Sequence, residues 1–161
     1  MLVDYHELCQ NSIMIYLGAD HRGFELKQRL LKSIQDKGLE ITDLGNDHLD
    51  PNDDYVLYAQ KVAEAVSSDE KNRGILLCGS GVGVDIVANK IDGVRSALVD
   101  NVHQVIQARA DDNVNIVSLP ADTLDEETAM EIIQAFLETE FKAEERFERR
   151  LDQIKVIEED N

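Results

Sequence analysis

The chain has 161 residues, 43% of them apolar and 30% charged, with 33 acids against 16 bases for a formal charge of −17. Such a chain suits one domain with a full hydrophobic core, and it excludes disorder over most of its length. The charge argues against nucleic acid and anionic membrane as partners, while a metabolite anion is allowed where bases cluster. Cys9 and Cys78 do not make a disulfide framework. No run approaches transmembrane length, and the N-terminus lacks the pattern of a signal peptide. A cytoplasmic protein is expected.

Residues 1–13 precede the first convincing strand, and Met14 offers an alternative start. They read as an extension, with 14–161 as a single domain. His6 and Cys9 have no second pair to complete a zinc site, so no metal is expected. Met14–Ala19 reads as the first strand and Asp20–Gly23 as the turn after it. Phe24–Lys37 places apolar residues at 24, 26, 30, 31 and 34, an amphipathic helix closed by Gly38. Leu39–Leu44 is a second strand, Gly45–Asp54 a polar loop, and Tyr55–Ser67 a second helix. Gly74–Leu77 is the third strand, and Val84–Asn89 opens a short helix. Gly93–Val99, Val102–Ala110 and Val114–Leu119 give strand, helix and strand. Asp125–Glu140 is a long helix whose acidic first turn suits the macrodipole. Ala143–Ile157 is a last, highly charged helix.

Strand and helix alternate five times, with connections long enough for right-handed crossovers. The expected fold is α/β: a three-layer, doubly wound, Rossmann-like domain with a five-stranded parallel sheet and an extra C-terminal helix. That last helix is too polar for the core, so it belongs at an edge or on another subunit.

The chain is organised around Gly74–Lys90. An apolar run without helical period reads as a buried parallel strand, and Cys78 sits where it should end. Gly79, Gly81 and Gly83 let the backbone turn tightly and bring N–H groups close to a bound oxygen. The short helix then points its positive end at the same spot. Three familiar glycine loops fail on spacing. A nucleotide P-loop needs a Lys after the glycines, a dinucleotide fingerprint needs a small residue at position 84, and a thiol phosphatase needs Arg there. Position 84 is Val. A buried structural Cys before an ordinary turn is the bland alternative.

In a parallel sheet, Asp20 and His21 after the first strand and Cys78 after the third emerge on one rim, where open α/β sheets bind ligands. Asp20 as a helix cap and His21 as a surface residue are the competing readings. Arg146, Arg149 and Arg150 share a helical face that can clamp a phosphate, although Glu144, Glu145 and Glu148 between them also fit a solvated helix. A signalling receiver domain is disfavoured, since Cys78 stands where its phosphoacceptor Asp would be.

Together, Tyr16–Lys27, Gly74–Gly83, Ala88–Lys90 with Gly93–Arg95, and Arg146–Arg150 resemble the type B ribose-5-phosphate isomerase and galactose-6-phosphate isomerase family. The resemblance runs from about Met14 to the last helix. It implies aldose–ketose interconversion of a sugar phosphate through an enediolate, without metal or organic cofactor. Cys78 would be the base moving a proton between C1 and C2, a role that needs its pKa lowered by backbone N–H groups and a helix N-terminus. The amides of Gly79, Gly81, Val82 and Gly83 would hold the developing oxyanion, and Ser80 would bond near the reacting carbons. Asp20 and His21 would bind hydroxyls or phosphate, Tyr55 would line the pocket, and Arg146 and Arg150 would grip the phosphate. The family forms dimers or tetramers whose sites draw residues from two subunits.

Two departures stand out. Where ribose enzymes carry a ring-opening His, this chain has Asp111-Asp112-Asn113, and His103, two helical turns earlier, is a weak substitute. A further phosphate-binding Arg of some members falls at Asp122, which would repel the ligand. Galactose-6-phosphate isomerase pairs a cysteine-bearing subunit lacking that His with a paralogue showing the reverse, and this chain resembles the former. Three readings follow: a self-sufficient isomerase as homodimer or tetramer, the cysteine-bearing subunit of a hetero-oligomer, or a non-catalytic sugar-phosphate-binding protein. The choice of sugar rests on loops such as Gly45–Asp54.

Overall fold

The run Ile75-Leu76-Leu77 becomes the middle strand of a parallel sheet, and all three side chains are fully buried. Both faces of that strand are covered, which is why its sequence shows no alternation. The computed structural model describes residues 13–160. Within them the order is β1 (Ile15–Ala19), α1 (Phe24–Asp36), β2 (Ile41–Asp43), α2 (Tyr55–Ser67), β3 (Arg73–Cys78), α3 (Val82–Ala88), β4 (Ser96–Leu98), α4 (Val102–Asp112), β5 (Ile116–Pro120), α5 (Glu126–Glu138) and α6 (Glu145–Glu159). The strands pair in the order β2-β1-β3-β5-β4, all parallel. This is the expected doubly wound, three-layer architecture.

One face is covered by Leu26, Leu30 and Ile34 of α1, Val105 of α4, and Ala129, Ile132, Ile133 and Phe136 of α5, packed on Ile15, Leu17, Ile75, Leu77, Val117 and Leu119. The other takes Ala59, Val62, Ala63 and Val66 of α2 with Val84 and Ala88 of α3, packed on Leu76, Cys78 and Ile116. Strand side chains alternate between faces, so Cys78 shares the α2–α3 face with Leu76. That alternation turns the thiol toward the loop that enters α3.

Several boundaries differ from the sequence expectation. The third strand takes in Cys78, because its pairing with β5 runs on to Cys78 opposite Pro120. The short helix begins at Val82 rather than Val84, since Gly81 in the left-handed region (φ 75°) sets its entry. The fourth strand shrinks to Ser96–Leu98 because Gly93 (φ 79°) turns the chain first. The last helix starts at Glu145 rather than Ala143. It buries only Phe147 and lies at an edge of the domain along α4. Lys142 N–H donates to Ala110 O at 2.9 Å, and Gly93 N–H donates to Glu158 Oε1 at 2.9 Å. The expectation for an N-terminal extension falls on residues outside the described ones, save Ile13, which packs partly against the core.

Candidate active site

The chain runs from β1 outward to β2, then crosses back over β1 to β3, with α1 and α2 on opposite faces. The switch point lies between β1 and β3, the position where a crevice opens beyond the strand ends. Ala19 pairs with Leu77, which sets Asp20 beside Cys78. Asp20 N–H donates to Leu77 O at 3.3 Å, Ala121 N–H to Cys78 O at 2.9 Å, and Asp122 N–H to Gly79 O at 3.0 Å. Loops after β1, β3 and β5 are thereby stitched into one rim.

Cys78 is only 5% exposed, and its Sγ accepts a hydrogen bond from Gly81 N–H at 3.1 Å. That bond ties the sulfur to the glycine loop. Gly81 has no room for a side chain, since a Cβ would come within 3.1 Å of Leu119 C. A Cβ on Gly83 would come within 2.7 Å of the Tyr55 ring, so Tyr55 lies directly on the loop. Ser80 is exposed, its Oγ accepting from Val82 N–H at 3.3 Å, and the Val82 side chain is exposed beside it.

Asp20 is buried, and its Oδ1 accepts from Arg22 N–H at 3.0 Å and Gly23 N–H at 3.1 Å. That carboxylate holds the turn before α1 from the rim, but it does not cap the helix, whose N-cap is Gly23 without a side-chain cap bond. His21 is half-buried. Its ring Nδ1 lies 2.7 Å from Asp53 Oδ1, which also accepts from His21 N–H at 3.0 Å. A carboxylate only accepts, so Nδ1 carries a proton and Nε2 is the ring's other working nitrogen. Asn46 Nδ2 donates to Asp53 Oδ2 at 2.8 Å, and Asn46 O accepts from Lys27 Nζ at 2.5 Å. Lys27, fully buried, also donates to Asp43 Oδ2 at 2.6 Å. A chain of polar contacts thus runs from the interior to the imidazole. Asp20, His21 and Asp53 bring ligand atoms within 4.8 Å of one another. Asp20 Oδ1, Asp53 Oδ1 and His21 Nδ1 are already spent in the bonds just described, so the trio reads better as a hydrogen-bonding array than as a metal centre.

Arg22 crosses the rim from the β1 loop to form an ion pair with Asp122 of the β5 loop. Its guanidinium lies so tightly on Gly79 that any side chain there would overlap it. The Asp122 carboxylate, expected to repel an anion, is neutralised by this contact.

The other sequence candidates lie elsewhere in the chain. Asp111 and Asp112 end α4, just before β5 begins at Ile116, which pairs with Gly74 at the start of β3. That is the rim opposite Cys78. Lys142 Nζ is 4.0 Å from Asp111 Oδ1. Arg146 bonds Glu144 at 2.9 Å, and Arg146 and Arg150 both lie against the Phe147 ring. No hydrogen bond, ion pair or ring contact among the described residues links them to the Cys78 loop. His103 is exposed in the first turn of α4, far along that helix from Asp111.

A family model described as Ribose/Galactose Isomerase matches residues 15–154. The chain belongs to that family. It is accordingly an enzyme of the aldose–ketose isomerase class. A probable ribose-5-phosphate isomerase B of Mycoplasma genitalium is 37% identical over 144 residues, 89% of this chain and 94% of that protein. A D-erythrulose-4-phosphate isomerase of Pectobacterium atrosepticum is 38% identical over 130 residues, 81% and 86% of the two chains. Among solved structures, ribose-5-phosphate isomerase B of Mycoplasma genitalium with bound ribulose-5-phosphate superposes with a TM-score of 0.89 at 36% identity, covering 93% of this chain and 99% of the other.

For a member of this isomerase family, the residues missed from sequence are Asp53, Asn46, Lys27 and the partner role of Arg22. Asp53 and Asn46 sit in the polar loop 45–54, whose composition carried no periodic signal. Lys27 closes the Tyr16–Lys27 segment, and nothing in its spacing shows that it is buried against Asp43 and Asn46.

Proposed function

We propose that the protein interconverts the aldose and ketose forms of a pentose 5-phosphate or hexose 6-phosphate with Cys78 as the base. The observation that carries this is the Cys78 sulfur, buried at the end of β3 with Gly81 N–H on it, one residue from the glycine loop. The thiolate takes the C2 proton of the open-chain aldose. The C–H electron pair becomes the C1=C2 bond, and the carbonyl pair moves onto O1. The amides of the Gly79–Gly83 loop hold that enediolate oxygen. Transfer of the O2 proton to O1, with return of the Cys78 proton to C1, gives the ketose. His21, oriented by Asp53, and Asp20 contact sugar hydroxyls or phosphate, Ser80 bonds near the reacting carbons, and Tyr55 walls the pocket.

Asp111 and the Arg146–Arg150 face lie on the opposite rim of the same chain, so they serve a Cys78 site only across a subunit contact. This reading calls for a homodimer or tetramer, and Tyr55, Val56, Leu57, Val82, Ile86 and Leu98, all exposed apolar side chains, offer a surface for it. No described helix is long and apolar enough to cross a membrane, and we place the enzyme in the cytoplasm.

A second reading rests on Asp111-Asp112 in place of the ring-opening His: the chain is the cysteine-bearing subunit of a hetero-oligomer. One experiment separates them. The purified chain is incubated in deuterated buffer with ribose-5-phosphate, allose-6-phosphate and galactose-6-phosphate, with Cys78→Ala as control. Deuterium entering the sugar with the native chain alone supports the first reading. Saturable binding without exchange sinks it and favours a partner subunit.

A further inference from the structure

We infer that Arg73, Arg95 and Arg109 form a second anion site, at the rim opposite Cys78, built for a small molecule that carries a phosphate group. It stands apart from the thiol: Arg73 begins β3 and Cys78 ends it, about 16 Å away along the strand. All three arginines line one cavity of about 860 Å³. On the surface of this acidic chain, Arg22 pairs with Asp122, Arg29 with Glu126 and Arg146 with Glu144. Arg73 and Arg95 are half-buried and Arg109 is only 4% exposed. Yet no carboxylate among the described residues forms an ion pair with any of the three. Glu158 acts on Arg95 through space, but it is bonded to Gly93 N–H at 2.9 Å. The cations therefore repel one another: burial, then Arg73 and Arg95, push the Arg109 pKa down to about 10, and burial and Arg95 lower that of Arg73.

Backbone carbonyls hold the three side chains in place without using all their donors. Arg73 engages Glu70 O and Asn72 O through Nη1 alone. Arg95 uses Nε and Nη2 on the Asp112 and Asn113 carbonyls. Arg109 uses Nε on Thr139 O, and Nη1 on Asn113 Oδ1 and Val114 O. Nε and Nη2 of Arg73, Nη1 of Arg95 and Nη2 of Arg109 keep no hydrogen-bond partner among the described residues. None of these nitrogens is sealed off, because the buried side-chain N or O left without a partner there is Asn46 Oδ1. They are therefore reachable from the cavity that the arginines line. Glu70, Glu138 and Glu140 also border that cavity and oppose an anion, so a single negative charge gains little. A phosphate brings nearly two charges, and several acceptor oxygens for the three guanidiniums. Arg95 and Arg109 also hold the turn at Asn113, beside Asp111, so a bound phosphate braces that turn.

The test uses the full chain in its native assembly, with pyrophosphate as the probe and titration calorimetry as the readout. Four forms are compared: wild type, Arg73→Gln, Arg73→Lys, and Arg146→Ala combined with Arg150→Ala. The last removes the arginine face assigned above to the substrate. Thermal melts report folding in each form. Saturable pyrophosphate binding is expected in wild type, and it persists in the Arg146–Arg150 double variant. Arg73→Gln weakens it about 10- to 100-fold, the range for losing a charge-assisted hydrogen bond. Arg73→Lys recovers part of that loss, since it keeps the charge but not the planar fork. If Arg73→Gln does not fold, binding by Arg73→Lys that is weaker than wild type carries the same conclusion. Undiminished binding in both Arg73 variants would mark the three arginines as a purely structural clamp and overturn the proposal. A wild type that binds no pyrophosphate would do the same. So would binding that vanishes in the double variant, because the anion would then belong to the substrate's own site.

Discussion

Asp53 holds His21 at two points with one oxygen, accepting from its main-chain N–H at 3.0 Å and its ring Nδ1 at 2.7 Å. Backbone and imidazole are thus fixed together, 32 residues away in sequence. Replacing the carboxylate with a methyl releases both. Asp53→Ala is expected to lower kcat/KM roughly 10- to 100-fold, the loss of a hydrogen bond to a charged group, while Cys78-dependent exchange stays detectable. Activity within twofold of wild type would remove His21 orientation from the mechanism.

Cys78→Ser should abolish most proton exchange, by about 100-fold or more, because a hydroxyl is a far weaker base than a thiolate. Sugar-phosphate binding should persist, since the glycine loop is untouched. Deuterium incorporation at C1 of the ketose checks the first half of the expectation, and titration with the sugar phosphate checks the second.

Gly81 and Gly93 have nearly the same left-handed φ, 75° and 79°, but different surroundings. A Cβ at Gly93 meets nothing within 4 Å, whereas one at Gly81 meets Leu98 Cδ1 at 2.5 Å and Leu119 C at 3.1 Å. Gly93→Ala should therefore cost only the backbone strain, about 1–2 kcal/mol. Gly81→Ala should cost more and also lose activity, because the N–H on the Cys78 sulfur must move. Urea denaturation of both variants gives the difference.

Lys27 joins the interior to the rim through Asp43 and Asn46. Lys27→Met leaves a buried acceptor and a half-buried carboxylate without their cation, and should destabilise the fold by about 3–5 kcal/mol. A loss under about 1 kcal/mol would mean that the network relaxes without it.

Asp85 lies under Ser96, whose hydroxyl donates to it at 2.7 Å, and burial raises its pKa above the ordinary 3.8 despite that bond. The folded state then binds more protons than the unfolded one between 3.8 and the raised value. Stability from this group is present at lower pH and is lost as pH rises through that window. Asp85→Asn should flatten the stability profile there and leave the protein as stable as wild type, or more so, at pH 7. Melting temperatures across pH 3.5–7 for both forms test the sign.

The order of strands and helices was legible because each apolar stripe has its own period. Val62 and Val66 fall on one side of a helix, and Ile75 to Leu77 cannot be amphipathic at all. Asp20, His21 and Cys78 were legible as rim residues because parallel strands end together. The sheet order was not, since nothing in the chain says that β5 slips between β3 and β4. That order brings Asp122 across from Arg22, two residues 100 positions apart whose charges cancel only in space. Asp53 and Asn46 were hidden for the same reason: a polar loop has no period, and its bonds depend on where the strands around it end. The sequence by itself determined the layers, the glycine loop and the thiol, which local periodicity and backbone sterics dictate. Only the tertiary structure decided which charges meet, and that Asp111 and Cys78 stand on opposite rims, because electrostatic partners are chosen by distance and not by spacing along the chain.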